Sequence, residues 1–100
     1  MGNLAVTYSK LGKHEQAREL EEQVLTLRRR ILGDTHPDTL TTMNNLAVTY
    51  HNLGEYGKAE ELFAELYERR CRLLGEEHPK TRRAYEALTK VRALRKRNAE

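Results

Sequence analysis

The chain is made from a unit of 42 residues used twice and begun a third time. Residues 1–42 laid over 43–84, without a gap, agree at 19 of 42 positions. The longest shared run is Asn3-Leu4-Ala5-Val6-Thr7-Tyr8 against Asn45-Leu46-Ala47-Val48-Thr49-Tyr50. Leu11-Gly12 recurs as Leu53-Gly54, and Gly33, His36, Pro37 and Thr39 recur as Gly75, His78, Pro79 and Thr81. A third copy starts at Tyr85 and runs to Glu100. Units of this period cannot bury an apolar face alone; they stack and share it with their neighbours. The expected arrangement is one domain over 1–100, with repeat 1 at 1–42, repeat 2 at 43–84, and a partial repeat or capping helix at 85–100.

Composition fits thin shared layers better than one thick core. A third of the residues are charged, 38% are hydrophobic, and there is one Phe and no Trp. With only two prolines, long helices are not interrupted. Cys71 is the sole cysteine, so no intrachain disulfide can form and a reducing compartment is expected. No apolar run nears the roughly 20 residues of a membrane span, and no signal-peptide pattern opens the chain. The expectation is a soluble, cytoplasmic protein.

The 3.6-residue period gives an all-α reading with five helices. The first covers about Asn3 to Leu11, with Leu4, Ala5, Tyr8 and Leu11 on one face and Gly12 as its stop. The second runs from about Glu15 to Leu32 with a stripe of Ala17, Leu20, Val24, Leu27 and Ile31. The third starts near Pro37, a residue favoured at a first helical position, and presents Leu40, Met43, Leu46, Ala47, Tyr50 and Leu53. The fourth, about Lys58 to Leu74, presents Ala59, Leu62, Phe63, Leu66, Leu73 and Leu74. The fifth begins near Pro79 and presents Ala84, Tyr85, Leu88, Val91 and Leu94. Tight turns at Gly12-Lys13-His14 and Gly54-Glu55-Tyr56 are expected to join antiparallel neighbours.

The stretch Asn45-Leu46-Ala47-Val48-Thr49-Tyr50, Leu53-Gly54, Ala59 and Phe63 has the spacing of apolar, small and aromatic positions that resembles the tetratricopeptide repeat family. The 42-residue unit and its Leu-Gly-x-x-His-Pro-x-Thr connector at 32–39 and 74–81 look like the longer repeats of kinesin light chains. They are also similar to repeats in the sensor regions of NTPase-linked immune receptors. The resemblance implies a right-handed superhelical solenoid of antiparallel helix pairs, covering nearly the whole chain. Glu21 stands where the second repeat has Phe63, which implies weaker packing or greater exposure in the first. Because about three repeats normally make a stable stack, a segment of a longer array, natural or engineered, is expected.

In that family the first helix of each unit lines a concave groove. Carried over, the groove positions include Asn3, Val6 and Lys10 in the first repeat. They include Asn44, Asn45, Val48, His51 and Asn52 in the second, and Lys90 in the third. An Asn side chain both donates and accepts hydrogen bonds, so it can hold a peptide backbone whatever its sequence. Asn3 and Asn45 could equally bond a neighbouring helix and set the repeat angle, and repetition alone fits both readings. Lys10 and Lys90 favour a partner carrying carboxylates.

Other chemistry-bearing residues point to structure. His36 and His78 precede Pro37 and Pro79 in matching connectors, one repeat apart and without a second ligand, so capping or packing is expected rather than metal. Cys71 lacks the adjacent base that a nucleophile requires. No Gly-rich phosphate loop, zinc spacing or catalytic triad is present. The net charge is +3, yet residues 79–100 carry eight Lys or Arg against Glu86 and Glu100. Without interleaved aromatic residues that stripe fits a polar end cap better than a nucleic-acid surface. The functional expectation is a non-catalytic, cofactor-free scaffold binding a peptide or partner helix, one with acidic side chains among the candidates. The alternative is an architectural segment that forms homodimers end to end through Leu88, Val91 and Leu94.

Overall fold

Four helices are present among the described residues: α1 (Asn3–Ile31), α2 (Pro37–Asn52), α3 (Tyr56–Leu74) and α4 (Pro79–Ala99). The structure is a computed structural model that describes the backbone of residues 3–99 and the side chains of residues 12–97. Each helix packs on its neighbours in the chain, α1 on α2, α2 on α3 and α3 on α4. No strand occurs among the described residues.

The third, fourth and fifth expected helices are α2, α3 and α4, with starts within about two residues of those read from the sequence. The first two are a correction. Instead of turning at Gly12, the chain continues straight through it, so the two form the single 29-residue α1. Gly54, its counterpart one repeat later, has φ +81° and closes the hairpin between α2 and α3, whereas Gly12 has no positive φ. A glycine inside a helix costs only about 1 kcal/mol relative to alanine, so burial decides which course the chain takes. α2 gains from turning because α1 and α3 flank it on both sides. Folded back, the segment before Gly12 would lie on the α1 face where Glu21 stands in place of Phe63.

The core lies between α2, α3 and α4. Leu40, Met43, Leu46, Ala47 and Tyr50 meet Ala59, Phe63 and Leu66, and on the far side of α3 lie Ala84, Leu88 and Val91. Met43 and Leu66 are completely buried. Leu88 and Val91 therefore already pack inside the molecule and do not offer an open end to a second copy, as the end-to-end dimer required. α4 is also tied to α3 by Glu60, which accepts hydrogen bonds from Arg92 Nε (3.2 Å) and Arg95 Nη1 (2.8 Å). Arg95, joined by Arg92, holds that carboxyl below its usual range, while partial burial works in the opposite direction.

The α1–α2 seam is polar. The α1 stripe was expected to be Ala17, Leu20, Val24, Leu27 and Ile31, but Leu20, Leu27 and Ile31 are 62%, 50% and 73% exposed. α2 packs instead on the flank carrying Arg18, Glu22 and Leu25, of which Leu25 alone joins the core. The Thr49 hydroxyl donates to Glu21 (2.6 Å), the Tyr50 hydroxyl donates to Glu22, and Arg18 donates to Glu55 (3.3 Å). Burial, with the Glu22 hydrogen bond adding to it, raises the Tyr50 phenol well above its ordinary pKa.

The two inter-repeat connectors use one set of bonds twice. His36 Nδ1 accepts from the Asp38 amide and His78 Nδ1 from the Lys80 amide, both at 3.1 Å, so each histidine satisfies a free amide at a helix start. Buried Thr39 and Thr81 donate their hydroxyls to the Arg28 and Arg70 carbonyls at 3.4 and 3.3 Å. Those arginines reach forward to the Asp38 and Lys80 carbonyls. Removing a cap of this kind costs about 1 kcal/mol, which in a domain of this size is about 4–8 °C in melting temperature. His36→Ala and His78→Ala are each expected to show that loss in thermal circular dichroism. The double variant should show the sum, because the sites share no partner.

Candidate functional site

The exposed face of α2 carries the residues read from the sequence as groove positions. Helical spacing sets Val48 at its centre, Asn44 and His51 on one flank, and Asn45 and Asn52 on the other. All five are at least partly exposed, because the opposite face of α2 supplies the core residues Met43, Leu46, Ala47 and Tyr50. On the His51 flank α4 comes alongside. Val48, His51, Phe63, Ala87, Lys90 and Val91 line a cavity of about 170 Å³ between the two helices. Its floor is apolar (Phe63, Ala87, Val91) and its rim carries the Lys90 ammonium and the His51 ring. His51 stacks at a tilt on Tyr56, with centroids 5.5 Å apart, which limits how far the ring can swing. Val48 is 42% exposed beside that apolar floor.

The structure thus brings Val48, His51 and Lys90 together. Asn44, Asn45 and Asn52 share the α2 surface but do not line the cavity. The side chains of Asn3, Val6 and Lys10 lie outside the described residues. The backbone of residue 3 lies about 14 Å beyond Gly12 along the straight α1, so the expected row of first helices does not form alongside α2. Asn45 and Asn52 face the space such a helix would occupy.

Other concavities differ in character. A cavity of about 340 Å³ at the connectors is lined by Leu40, Leu73, Leu74, Pro37, Arg70 and Lys80, among others. Burial there lowers the pKa of Arg70, whose guanidinium nonetheless stays charged. Between α1 and α3 a charged cleft is spanned by Arg29, which donates to Glu65 at 3.0 Å. Arg69 bridges Asp34 and Glu65 beside it. Thr39, Thr81, Arg28 and Arg70 were not singled out from the sequence; their recurrence at 42 residues was the available signal.

Cys71 is half-buried beside the Tyr67 hydroxyl, and the thiol contact and burial make that phenol hold its proton more tightly than usual. A phenol that stays protonated at neutral pH cannot serve as a base. Among the described residues no three His, Cys, Asp or Glu side chains gather as a metal would need. Among the described residues no helix is long and apolar enough to cross a membrane.

Against this helical arrangement, the model of the tetratricopeptide repeat matches residues 1–72, well over half the chain. The chain belongs to the tetratricopeptide repeat family. Repeats of this family generally mediate protein–protein interactions and are typically not enzymes. The hairpin of α2 and α3 falls almost wholly within the matched residues, and α4 lies beyond them. A comparison with curated proteins finds no match.

Proposed function

We propose that this tetratricopeptide segment is a non-catalytic scaffold that holds a short peptide or partner helix on the concave side of α2 and α4. The observation that carries the reading is the uncovered Val48 over an apolar floor, with Lys90 at its rim. A partner that fits offers one apolar side chain to the cavity and a carboxylate to Lys90. Asn44, Asn45 and Asn52 would then hold its backbone amides. The 42-residue unit supports assignment to the kinesin-light-chain type of repeat, with boundaries at 1–42, 43–84 and 85–100. In a longer array such units would continue as a right-handed superhelix.

A display library of peptides with one apolar and one acidic position provides the test. Val48→Glu places a charge over the apolar floor and is expected to weaken a selected peptide at least about tenfold. Lys90→Glu should weaken it by a smaller, salt-dependent factor. Helical circular dichroism should be unchanged in both, since both residues are exposed. Equal binding by all three proteins would reject the groove.

A further inference from the structure

The two connectors, otherwise built alike, differ in what their arginine can bond. Arg28 Nη1 donates to the Asp38 carbonyl at 3.0 Å and to the Thr42 hydroxyl at 2.8 Å. One repeat later Ala84 stands in place of Thr42, and among the described residues Arg70 donates only to the Lys80 carbonyl, at 3.4 Å. The side chain near the helix start changes too, from the carboxylate of Asp38 to the ammonium of Lys80. Three other half-buried arginines have carboxylate partners: Arg18 pairs with Glu55, Arg29 with Glu65, and Arg69 with Asp34 and Glu65. Neither Arg70 nor Lys80 forms such a pair among the described residues. Burial lowers the Arg70 pKa with no nearby charge to offset it, as expected of a cation that lacks its counter-charge.

These two cations stand at an apolar cavity. Arg70 and Lys80, with Pro37, Leu40, Leu73 and Leu74 among others, line a space of about 340 Å³ where the starts of α2 and α4 meet the end of α3. Leu73 and Leu74 are 50% and 42% exposed, so apolar surface stays uncovered beside the charge. Cavities of this size hold small organic molecules, with a few polar groups fixing their orientation. A guanidinium presents parallel N–H donors that match the two oxygens of a carboxylate.

We propose that this cavity binds a small free carboxylic acid, its carboxylate held by Arg70 and Lys80 and its apolar body laid over Leu40, Leu73 and Leu74. The volume is that of a whole small ligand, and both cations serve a single anionic group. The site shares no lining residue with the cavity of Val48 and Lys90, so it does not rest on the groove reading above. Leu40 belongs to α2, Arg70 to α3 and Lys80 to α4, so a bound acid ties three helices together at one end. A ligand held only by the folded chain stabilises it by mass action.

Octanoate is the probe, and octanamide its uncharged counterpart. In an NMR titration, octanoate should shift the Arg70 Nε–H signal together with the amides of Leu40, Leu73, Leu74 and Lys80. Octanamide should bind at least about tenfold more weakly. Arg70→Gln should weaken octanoate by about tenfold or more with helical circular dichroism unchanged, and exposed Lys80→Ala by a smaller, salt-dependent factor. Ala84→Thr supplies the hydroxyl that occupies Arg28 in the first repeat, and should weaken octanoate while leaving the guanidinium in place. A leucine-ending peptide with a free carboxylate is the rival occupant. The proposal is overturned if octanoate and octanamide bind alike, if Arg70→Gln binds octanoate as the parent does, or if only the peptide binds. None of these results bears on peptide capture by Val48 and Lys90, which the display experiment reads separately.

Discussion

Leu66→Ala is expected to remove about 2–5 kcal/mol of stability, enough to unfold much of the population at 37 °C. Leu66 has no exposed surface and sits in α3, which packs on α2 and on α4. The loss contains the transfer energy of the deleted atoms and the cavity they leave. The cavity contribution is large because both neighbours of α3 are held in place. α2 is held by Met43 and Leu46, and α4 by Leu88, Val91 and the Glu60 ion pairs. Urea unfolding followed by circular dichroism should show the midpoint fall while the slope stays the same. Val24→Ala, the same position one repeat earlier, should cost well under half as much, because Val24 is only half-buried in the isolated chain.

Leu88→Glu is expected to detach α4 rather than to break up an oligomer. Leu88 is buried against α3, and a carboxylate at that position has no cation aimed at it from the apolar cluster around it. Burying an unpaired charge costs several kcal/mol, so the helix is released from α3 instead. Arg92 and Arg95 would lose Glu60 with it, but those partly exposed pairs contribute little to the total. Helical circular dichroism should drop by about the share of α4, and amide protons from Pro79 to Ala99 should exchange quickly. A variant that keeps full helicity and changes only its sedimentation would mean that Leu88 is surface after all.

Most of the helical layout was legible in residues. Pro37 and Pro79 marked helix starts, the Gly33 and Gly75 connectors marked ends, and the 3.6-residue stripes of α2, α3 and α4 named nearly all the buried apolar residues. Capping by His36 and His78 was also foreseen, since identical residues in identical connectors imply identical local bonds. The candidate site was legible in part. Val48, His51 and Lys90 meet because the repeat spacing brings α4 alongside α2, while Asn3, Val6 and Lys10 depended on a turn that does not form. The stripe of α1 was misjudged for the same reason. Its pattern describes a helix in a complete repeat, and α1 has polar neighbours at Glu21 and Glu22 and no helix over Leu20.

The amino-acid order by itself determined that this protein is a tandem of helices with thin apolar seams, because periodicity and connector residues act locally and repeat regardless of what surrounds them. Tertiary packing alone decided the fate of Gly12. A Leu-Gly step is compatible with either a turn or a continuing helix, since a glycine inside a helix costs only about 1 kcal/mol relative to alanine. Only the surface on offer separates the two courses: α2 turns onto the Phe63 face of α3, while the segment before Gly12 would turn onto a face carrying Glu21.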